Sequence, residues 1–219
     1  MSEALVVVVA GGPPPLPASA RDVPPDALVV AADAGLDHAL ALGLAVTIAI
    51  GDFDSASAEA LATAEAAGTR IERHPAEKDA TDLELALDAA LELGATRVVV
   101  LASDGGRLDH LHSALVLLGS AKYAGVRLDA QVGRALVHVI RDERAIRGHS
   151  GELISLLALH GAAEGVRTEG LMYPLADETL GPGSSRGVSN VFAESEARVS
   201  VERGVVLAIR PGDDGGGAS

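Results

Sequence analysis

Residues 1–132 alternate short apolar runs with longer segments rich in alanine and leucine. We predict strands at the short runs, which are residues 5–10, 27–32, 46–50, 70–73, 97–102 and 126–130. Most of these runs are almost continuously apolar, which is typical of strands covered on both faces. We predict helices between them, at residues 35–43, 56–67, 81–93 and 108–124. The alternation predicts a Rossmann-like parallel sheet flanked by helices.

Residues 133–212 follow a different pattern, in which short apolar runs are separated by turn residues. We predict strands at residues 135–140, 152–159, 163–168, 189–194, 197–202 and 205–210. Short strands with frequent turns are typical of an antiparallel β-sandwich. We therefore predict an α/β fold with an N-terminal domain at 1–132, a C-terminal β-sandwich domain at 133–212 and a disordered tail at 213–219.

The amino-acid composition of the chain argues against several classes of function. The chain has 219 residues, enough for a substantial core, and 48% of them are hydrophobic. Its formal net charge of −14 argues against a nucleic-acid-binding protein, because phosphate backbones attract basic surfaces. No apolar run approaches the ~18 residues of a membrane span, and the N-terminal run LVVVVA is predicted to be a strand and not a signal peptide. The absence of cysteine fits a cytoplasmic protein.

Four acidic clusters follow predicted strands or open predicted helices of the N-terminal domain. They are Asp33; Asp52 with Asp54; Asp79 with Asp82, beside Lys78; and Asp109, beside Arg107. Parallel strands bring their carboxyl ends to one edge of the sheet, so we expect all four clusters at that edge. An extended backbone would also point Asp52 and Asp54 to the same side and Phe53 into the core.

A purely structural role is possible for single aspartates of these clusters. Aspartate at a helix start accepts hydrogen bonds from free backbone N–H groups and is favoured by the helix dipole. This role is open to Asp33, Asp79, Asp82 and Asp109. It explains less well why two aspartates stand together in IGDFDS, because one cap is sufficient for a helix.

A divalent cation would relieve the repulsion between clustered carboxylates. Oxygen ligands without histidine or cysteine favour Mg²⁺, which also shares its coordination with substrate phosphates. Lys78 and Arg107 then become candidate phosphate contacts, with arginine offering a bidentate fork. The residues themselves therefore predict a magnesium-dependent site for a nucleoside triphosphate.

Several familiar sites are absent from the sequence. There is no GxxxxGK[ST] phosphate loop, no G-x-G-x-x-G after the first predicted strand and no G-x-S-x-G elbow. His110 and His112 are two residues apart on a predicted helix, so their side chains diverge and a histidine metal site is disfavoured.

Taken together, the motifs resemble those of the thiamine pyrophosphokinase (thiamine diphosphokinase) family. The matching segments are ADAGLDHAL, IGDFDS, KDATDLELAL and GGRLDHLHSAL, followed in the second domain by TEGLMYPL and GVSNVF. The resemblance extends from residue 5 to residue 210. Each motif alone is weak, whereas their combination in this order is specific.

The resemblance implies an enzyme that transfers the β,γ-diphosphate of ATP to the hydroxyl of thiamine and releases AMP. It implies Mg²⁺ as cofactor, ATP and thiamine as small-molecule partners, and a homodimer in which both domains and both subunits contribute to the active site. Asp54 or Asp82 could accept the hydroxyl proton.

The resemblance also implies roles for individual residues. The implied catalytic set is Asp52, Asp54, Asp82, Arg107 and Asp109. The implied magnesium ligands are Asp52, Asp54 and Asp82; the implied ATP contacts are Asp33, Lys78, Asp79 and Arg107; and the implied thiamine contacts are Ser189 and Asn190.

Two alternatives remain open from the sequence. The chain has no tryptophan, although some family members place an aromatic near the SN motif to stack on the pyrimidine; the local aromatics here, Tyr173 and Phe192, are predicted to be core residues. The acceptor could therefore be another small alcohol, such as a pterin. The other alternative is a nucleotide- or thiamine-sensing module without catalysis, against which the intact acidic motifs argue.

Overall fold

The computed structural model describes residues 4–212, which fall into two compact units. Within these residues, the first unit comprises 4–114 and 125–133, and the second comprises 115–124 and 134–212. The predicted disordered tail at 213–219 lies outside the described residues. None of the helices between residues 4 and 212 is long and apolar enough to cross a membrane.

Six strands of the described chain form a parallel sheet in the first unit, as the apolar runs predict. They are β1 (Leu5–Val9), β2 (Leu28–Ala32), β3 (Ile48–Gly51), β4 (Arg70–Arg73), β5 (Arg97–Ala102) and β6 (Arg127–Val132). Their order is β4-β3-β2-β1-β5-β6, and each neighbouring pair is parallel.

Helices cover both faces of the central strands. The α-helices among residues 4–212 are α1 (Gly35–Ala41), α2 (Ala58–Ala66), α3 (Asp82–Glu92) and α4 (Leu108–Leu118). Residues of α1 and α2 share an apolar cluster with alternate residues of β1, including Val7 and Val9. The intervening residues Val6 and Val8 are equally buried, and α3 contacts β1, β2 and β3. Burial on both faces explains why these strands lack an alternating pattern.

α4 ends earlier than the predicted limit at residue 124. A short 3-10 helix, Ala121–Tyr123, follows it. The side chain of Ser120 accepts a hydrogen bond from the Lys122 N–H, so Ser120 begins a new helical turn instead of continuing the α-helix.

The strand order reverses beside β1, because β2, β3 and β4 lie on one side of it and β5 and β6 lie on the other. In such sheets, ligands bind beyond the carboxyl ends of the strands near the reversal. The segments that follow β2, β3 and β5 begin with Asp33, Asp52 and Ser103, and they share this edge.

The second unit contains antiparallel strands, as its turn-rich sequence predicts. They are β7 (Ala135–Ile140), β8 (Glu143–Arg147), β9 (Leu153–Glu169), β10 (Ala176–Leu180), β11 (Asn190–Val191), β12 (Glu196–Ser200) and β13 (Arg203–Arg210). β13 lies between β7 and β9, β12 lies between β9 and β8, and both β10 and β11 pair with β9. The strands enclose one apolar cluster that includes Ile154, Phe192 and Val206.

The second unit differs from the prediction in four elements, β8, β9, β10 and β11. Segments 152–159 and 163–168 belong to the single strand β9, in which His160 has a left-handed φ of 62° and the register against β13 shifts. The predicted turn is thus a β-bulge. β8 and β10 were not predicted, because ERAIR and ADETL lack an apolar run. The predicted strand at 189–194 is reduced to Asn190–Val191.

Gly35 allows the start of α1 to approach the end of β1. A Cβ at this position would lie 2.2 Å from the carbonyl oxygen of Val9, a backbone atom that cannot move away easily. We predict that Gly35→Ala lowers the free energy of unfolding by about 1–3 kcal/mol. Gly125→Ala is the matched control, because its Cβ would meet no atom within 4 Å. Denaturant titration measures both variants, and equal midpoints would contradict the prediction.

Candidate active site

Three carboxylates meet at the carboxyl edge of the parallel sheet. Asp33 follows β2, Asp52 follows β3, and Asp82 is the first residue of α3. One carboxylate oxygen from each residue lies within 4.8 Å of the other two, and all three residues are partly buried. We call these three residues the acidic cluster. It unites aspartates from three of the four clusters in the sequence.

The backbone around the acidic cluster allows its members to approach closely. Asp33 has a left-handed φ of 49°, a conformation that aspartate tolerates better than most residues with a side chain. Gly51 ends β3 with a φ of 149°. A Cβ at Gly51 would lie 3.2 Å from the Asp33 Cβ and 3.2 Å from Asp82 Oδ1. Glycine at the end of this strand therefore leaves room for two carboxylates.

Helix capping does not explain the aspartates of this cluster. Thr81 is the N-cap of α3, and its side-chain oxygen accepts a hydrogen bond from the Glu84 N–H at 3.2 Å. The N-cap of α1 is Ala34, without a side-chain hydrogen bond. Asp82 gains from the dipole of α3 as a first-turn residue, but neither Asp82 nor Asp33 provides the cap.

Lys78 forms ion pairs with two members of the acidic cluster. Its Nζ lies 3.0 Å from Asp82 Oδ1 and 3.6 Å from Asp52 Oδ2, and its side chain is only 14% exposed. Burial by itself would lower the pKa of Lys78, but its contacts with Asp82 and then with Asp52 raise that pKa above its ordinary value. The ammonium is therefore charged at neutral pH.

Asp33 has a carboxylate oxygen without a donor. Its Oδ1 is buried and accepts no hydrogen bond within residues 4–212. Burial raises the pKa of Asp33, the backbone N–H of Ala34 lowers it, and the charges of Asp82, Asp52 and Asp54 raise it again, so that the pKa lies above its ordinary value. A buried acceptor beside other carboxylates is an environment that a cation would stabilise.

Asp54 lies outside this group of three. β3 ends at Gly51, and Phe53 has a left-handed φ of 59°, so the predicted extended segment through Asp54 is wrong. The Asp54 N–H donates to Asp52 Oδ1 at 3.3 Å, and Asp54 Oδ1 accepts from the Ser55 hydroxyl at 2.8 Å. Phe53 is buried in the apolar core, as predicted.

The other predicted residues of the first unit are exposed. Arg107, between β5 and α4, donates from Nε to Asp109 Oδ1 at 3.2 Å and from a terminal nitrogen to Asp109 Oδ2 at 2.6 Å. The Arg107 hydrogen bonds lower the pKa of Asp109 to about 2. Asp79 lies in the loop before α3. Arg107 and Asp109 thus form a bidentate pair on the segment after β5.

In the second unit, Asn190 is buried and holds the backbone of a neighbouring loop. Its Oδ1 accepts from the N–H groups of Tyr173 at 3.1 Å and Val191 at 2.8 Å, and its Nδ2 donates to the Tyr173 carbonyl at 2.7 Å. Both lone pairs of the amide oxygen are thereby used. The amide of Asn190 therefore fixes the backbone position of Tyr173.

Tyr173 is 54% exposed, whereas Phe192 is fully buried. The prediction of a core position is confirmed for Phe192 and wrong for Tyr173. Ser189, next to Asn190 in sequence, is also exposed, and its N–H donates to the Ser155 hydroxyl at 3.1 Å. The sequence contains a signal for the exposure of Tyr173, because Gly170 and Pro174 flank its segment and are typical of a turn.

Two models of known protein families match this chain, one mainly in the first unit and one in the second. Residues 24–128 match the model described as "Thiamin pyrophosphokinase, catalytic domain", and residues 137–206 match "Thiamin pyrophosphokinase, vitamin B1 binding domain". This chain belongs to the thiamin pyrophosphokinase family. The family predicted from the motifs is thereby confirmed. The acidic cluster falls in the first matched range, and Tyr173, Ser189 and Asn190 fall in the second.

Individual relatives agree with the family assignment. "Thiamine pyrophosphokinase" from Bacillus subtilis (strain 168) is 28% identical over 218 residues, which cover 94% of this chain and 98% of the relative. The crystal structure of a thiamine pyrophosphokinase from Bacillus subtilis has a TM-score of 0.82 at 25% identity and covers 95% of this chain and 99% of its own. That from Geobacillus thermodenitrificans has a TM-score of 0.79 at 29% identity, over 96% and 99%.

We predict that Asp33→Asn stabilises the protein in the presence of EDTA at neutral pH. A raised pKa means that ionised Asp33 destabilises the fold above that pKa, while the effect vanishes below the ordinary value of 3.8, where the folded and unfolded states are both protonated. Asparagine removes the charge and also tolerates a left-handed φ.

Thermal unfolding of Asp33→Asn should give a higher Tm than the wild type at pH 7. The difference should shrink as the pH falls through the raised pKa of Asp33 towards its ordinary value. Asp26→Asn is the matched control, since it removes one carboxylate at an exposed position. A Tm of Asp33→Asn below that of the wild type at pH 7 would contradict the prediction.

Proposed function

We propose that this protein transfers the β,γ-diphosphate of ATP to the hydroxyl of thiamine, giving thiamine diphosphate and AMP. The match of the two units to the catalytic and vitamin-binding family models supports this activity. The structural observation that carries it is the acidic cluster at the carboxyl edge of a parallel sheet, with a buried Asp33 oxygen that lacks a donor within the described residues.

We infer that Asp33, Asp52 and Asp82 hold Mg²⁺. Their donors are all carboxylate oxygens, which suit this hard cation, and their spacing within 4.8 Å allows one ion to contact several of them. Asp54, which the family resemblance places among the magnesium ligands, is near enough for its charge to raise the pKa of Asp33. We retain Asp54 as a proposed member of the magnesium site.

In the proposed reaction, the hydroxyl oxygen of thiamine attacks the β-phosphorus of ATP. The bond from that phosphorus to the oxygen bridging to the α-phosphorus breaks, and AMP leaves. Bound Mg²⁺ supplies positive charge to the phosphate oxygens. Arg107, now paired with Asp109, presents a fork of donors that fits a phosphate group, and Asp109 orients that fork. We propose Asp79 as a further contact in the ATP region.

The hydroxyl proton of thiamine needs an acceptor when the new bond forms. Asp54 and Asp82 are the two candidates from the sequence. Asp82 belongs to the group of three carboxylates proposed to hold the metal, and its Oδ1 contacts Lys78 Nζ at 3.0 Å, so this carboxylate is already engaged. Asp54 lies outside the group of three, is exposed, and accepts a hydrogen bond from the Ser55 hydroxyl at 2.8 Å. We therefore propose Asp54 as the proton acceptor.

We propose Tyr173 as the aromatic contact for thiamine. Its ring is exposed, and Asn190 fixes its backbone through two hydrogen bonds. A tyrosine face can stack on the pyrimidine or interact with the positive thiazolium ring. Ser189 remains the proposed polar contact, and Asn190 acts by positioning Tyr173. The homodimer implied by the family resemblance is part of the same proposal.

The decisive experiment is to incubate the protein with ATP, Mg²⁺ and thiamine and to measure AMP and thiamine diphosphate together. We expect the two products in equal amounts and no reaction after addition of EDTA. AMP formation with a pterin alcohol but not with thiamine would show that the pterin alcohol, and not thiamine, is the acceptor of the diphosphate. Saturable binding of ATP and thiamine without any product would instead favour a sensing module.

We predict that Asp52→Asn lowers kcat by about 100-fold or more, because a lost metal ligand removes charge stabilisation from the transferred group. Asparagine preserves the shape of the side chain, and circular dichroism should show an unchanged fold. Asp26→Asn, which removes an exposed carboxylate before β2, should keep full activity. Retention of activity within a few-fold in Asp52→Asn would remove this residue from the metal site.

We predict that Tyr173→Ala raises KM for thiamine up to about tenfold, the upper range expected for one aromatic contact. KM for ATP should change less than about twofold, since the ring contacts the acceptor and not the nucleotide. Tyr173→Phe retains the aromatic face and is the matched control. An equal rise in KM for thiamine in both variants would point to the hydroxyl, and no rise in either would exclude the contact.

A further inference from the structure

We propose that Lys78 holds the place of a cation within the acidic cluster until a divalent metal displaces it. Lys78 would thereby set the affinity of the protein for the metal in the absence of nucleotide. The inference rests on the proposed function, because it assumes that Asp33, Asp52 and Asp82 bind the metal.

The position of the ammonium supports a stand-in role. Lys78 Nζ contacts Asp82 at 3.0 Å and Asp52 at 3.6 Å, and these two carboxylates have side chains only 27% and 19% exposed. Two of the three carboxylates that could surround a metal are therefore engaged by one ammonium. The third, on Asp33, belongs to the same group within 4.8 Å and has a buried oxygen that accepts no hydrogen bond inside the described range 4–212.

One ammonium compensates the cluster only in part. It brings a single positive charge to three carboxylates whose oxygens lie within 4.8 Å of one another. A divalent ion would bring twice that charge to the same carboxylates. The ammonium and a metal ion repel each other at such short distances, so a metal that binds the oxygens now in contact with Lys78 would take the place of the ammonium. Metal binding at these oxygens would therefore displace Lys78.

The chain can release Lys78 without disturbing α3. Lys78 lies in the loop that precedes the helix, four residues before Asp82, and Thr81 caps the helix independently. The flexible stem of lysine ends in a compact charge with rotatable donors, whereas arginine presents a planar fork. Only two of the 17 basic residues of this chain are lysines, Lys78 and Lys122. A lysine at this position can therefore leave the carboxylates more easily than an arginine could.

The displaced ammonium has a second use in the proposed reaction. Once it leaves Asp52 and Asp82, it can contact a phosphate of ATP, which is the role the sequence predicts for Lys78. A phosphate that receives the ammonium favours the metal-bound arrangement, and the metal in turn favours phosphate binding, because coupling between two ligands is reciprocal. Metal and nucleotide would therefore enter the site together.

The test measures binding of Mn²⁺ alone to the full-length protein, by electron paramagnetic resonance of the unbound ion. We expect Lys78→Met to bind Mn²⁺ about tenfold more tightly than the wild type, because no ammonium competes for the carboxylates. Lys78→Arg keeps the positive charge and should therefore show no gain in Mn²⁺ affinity over the wild type. Lys122→Met, the same replacement at the other lysine, should leave the affinity unchanged.

Thermal unfolding supplies an independent readout. In EDTA, Lys78→Met should have a lower Tm than the wild type, and saturating Mn²⁺ should raise its Tm by more than it raises that of the wild type. A merely structural lysine would lower the Tm without any gain in Mn²⁺ affinity, and that result would overturn the proposal.

Asp52→Asn separates failure of this inference from failure of the proposed function. If Asp52→Asn loses Mn²⁺ while Lys78→Met binds it only as tightly as the wild type, the metal site stands and the role of Lys78 is overturned. If Asp52→Asn binds Mn²⁺ as well as the wild type does, the metal site of the proposed function is overturned, and the role of Lys78 with it.

Discussion

Electrostatic repulsion among carboxylates at one edge of a parallel sheet is the constraint on which the candidate site depends. The fold brings Asp33, Asp52 and Asp82 within 4.8 Å of one another, although separation would lower their mutual repulsion. Gly51 makes this approach possible, because any side chain there would crowd two of the three aspartates. The apolar strands on both sides supply the rigid frame that keeps the charges together.

The parallel sheet could be predicted because its strands are buried on both faces and therefore appear as continuous apolar runs. The gathering of acidic residues followed from the parallel topology. The sequence could not predict that Asp33, and not Asp54, joins Asp52 and Asp82 in the acidic cluster. This arrangement depends on left-handed backbone angles at Asp33 and Phe53. Such angles arise from tertiary packing and leave no periodic signal in the chain.

The second unit was harder to predict for a different reason. β8 and β10 are charged strands whose stability comes from pairing with β12 and β9, so that neither has an apolar pattern of its own. The sequence does not reveal that the amide of Asn190 holds the backbone around Tyr173, and the predicted contact of Asn190 with thiamine stays a prediction. Asn190 is buried and Tyr173 is exposed, which is the opposite of what hydrophobicity alone predicts for these two residue types.

In each unit, a largely buried polar side chain determines the environment of a neighbouring side chain. These two polar residues are Asn190 and Lys78. In the second unit, the amide of Asn190 forms hydrogen bonds with the backbone of Tyr173, whose aromatic ring remains exposed. In the first, Lys78 binds Asp52 and Asp82 and leaves the Asp33 oxygen without a donor in the described chain. The difference lies in reversibility. Amide hydrogen bonds buried in a protein hold a fixed geometry, whereas the ion pairs of Lys78, a flexible side chain in a loop, are the ones that we propose a divalent cation displaces.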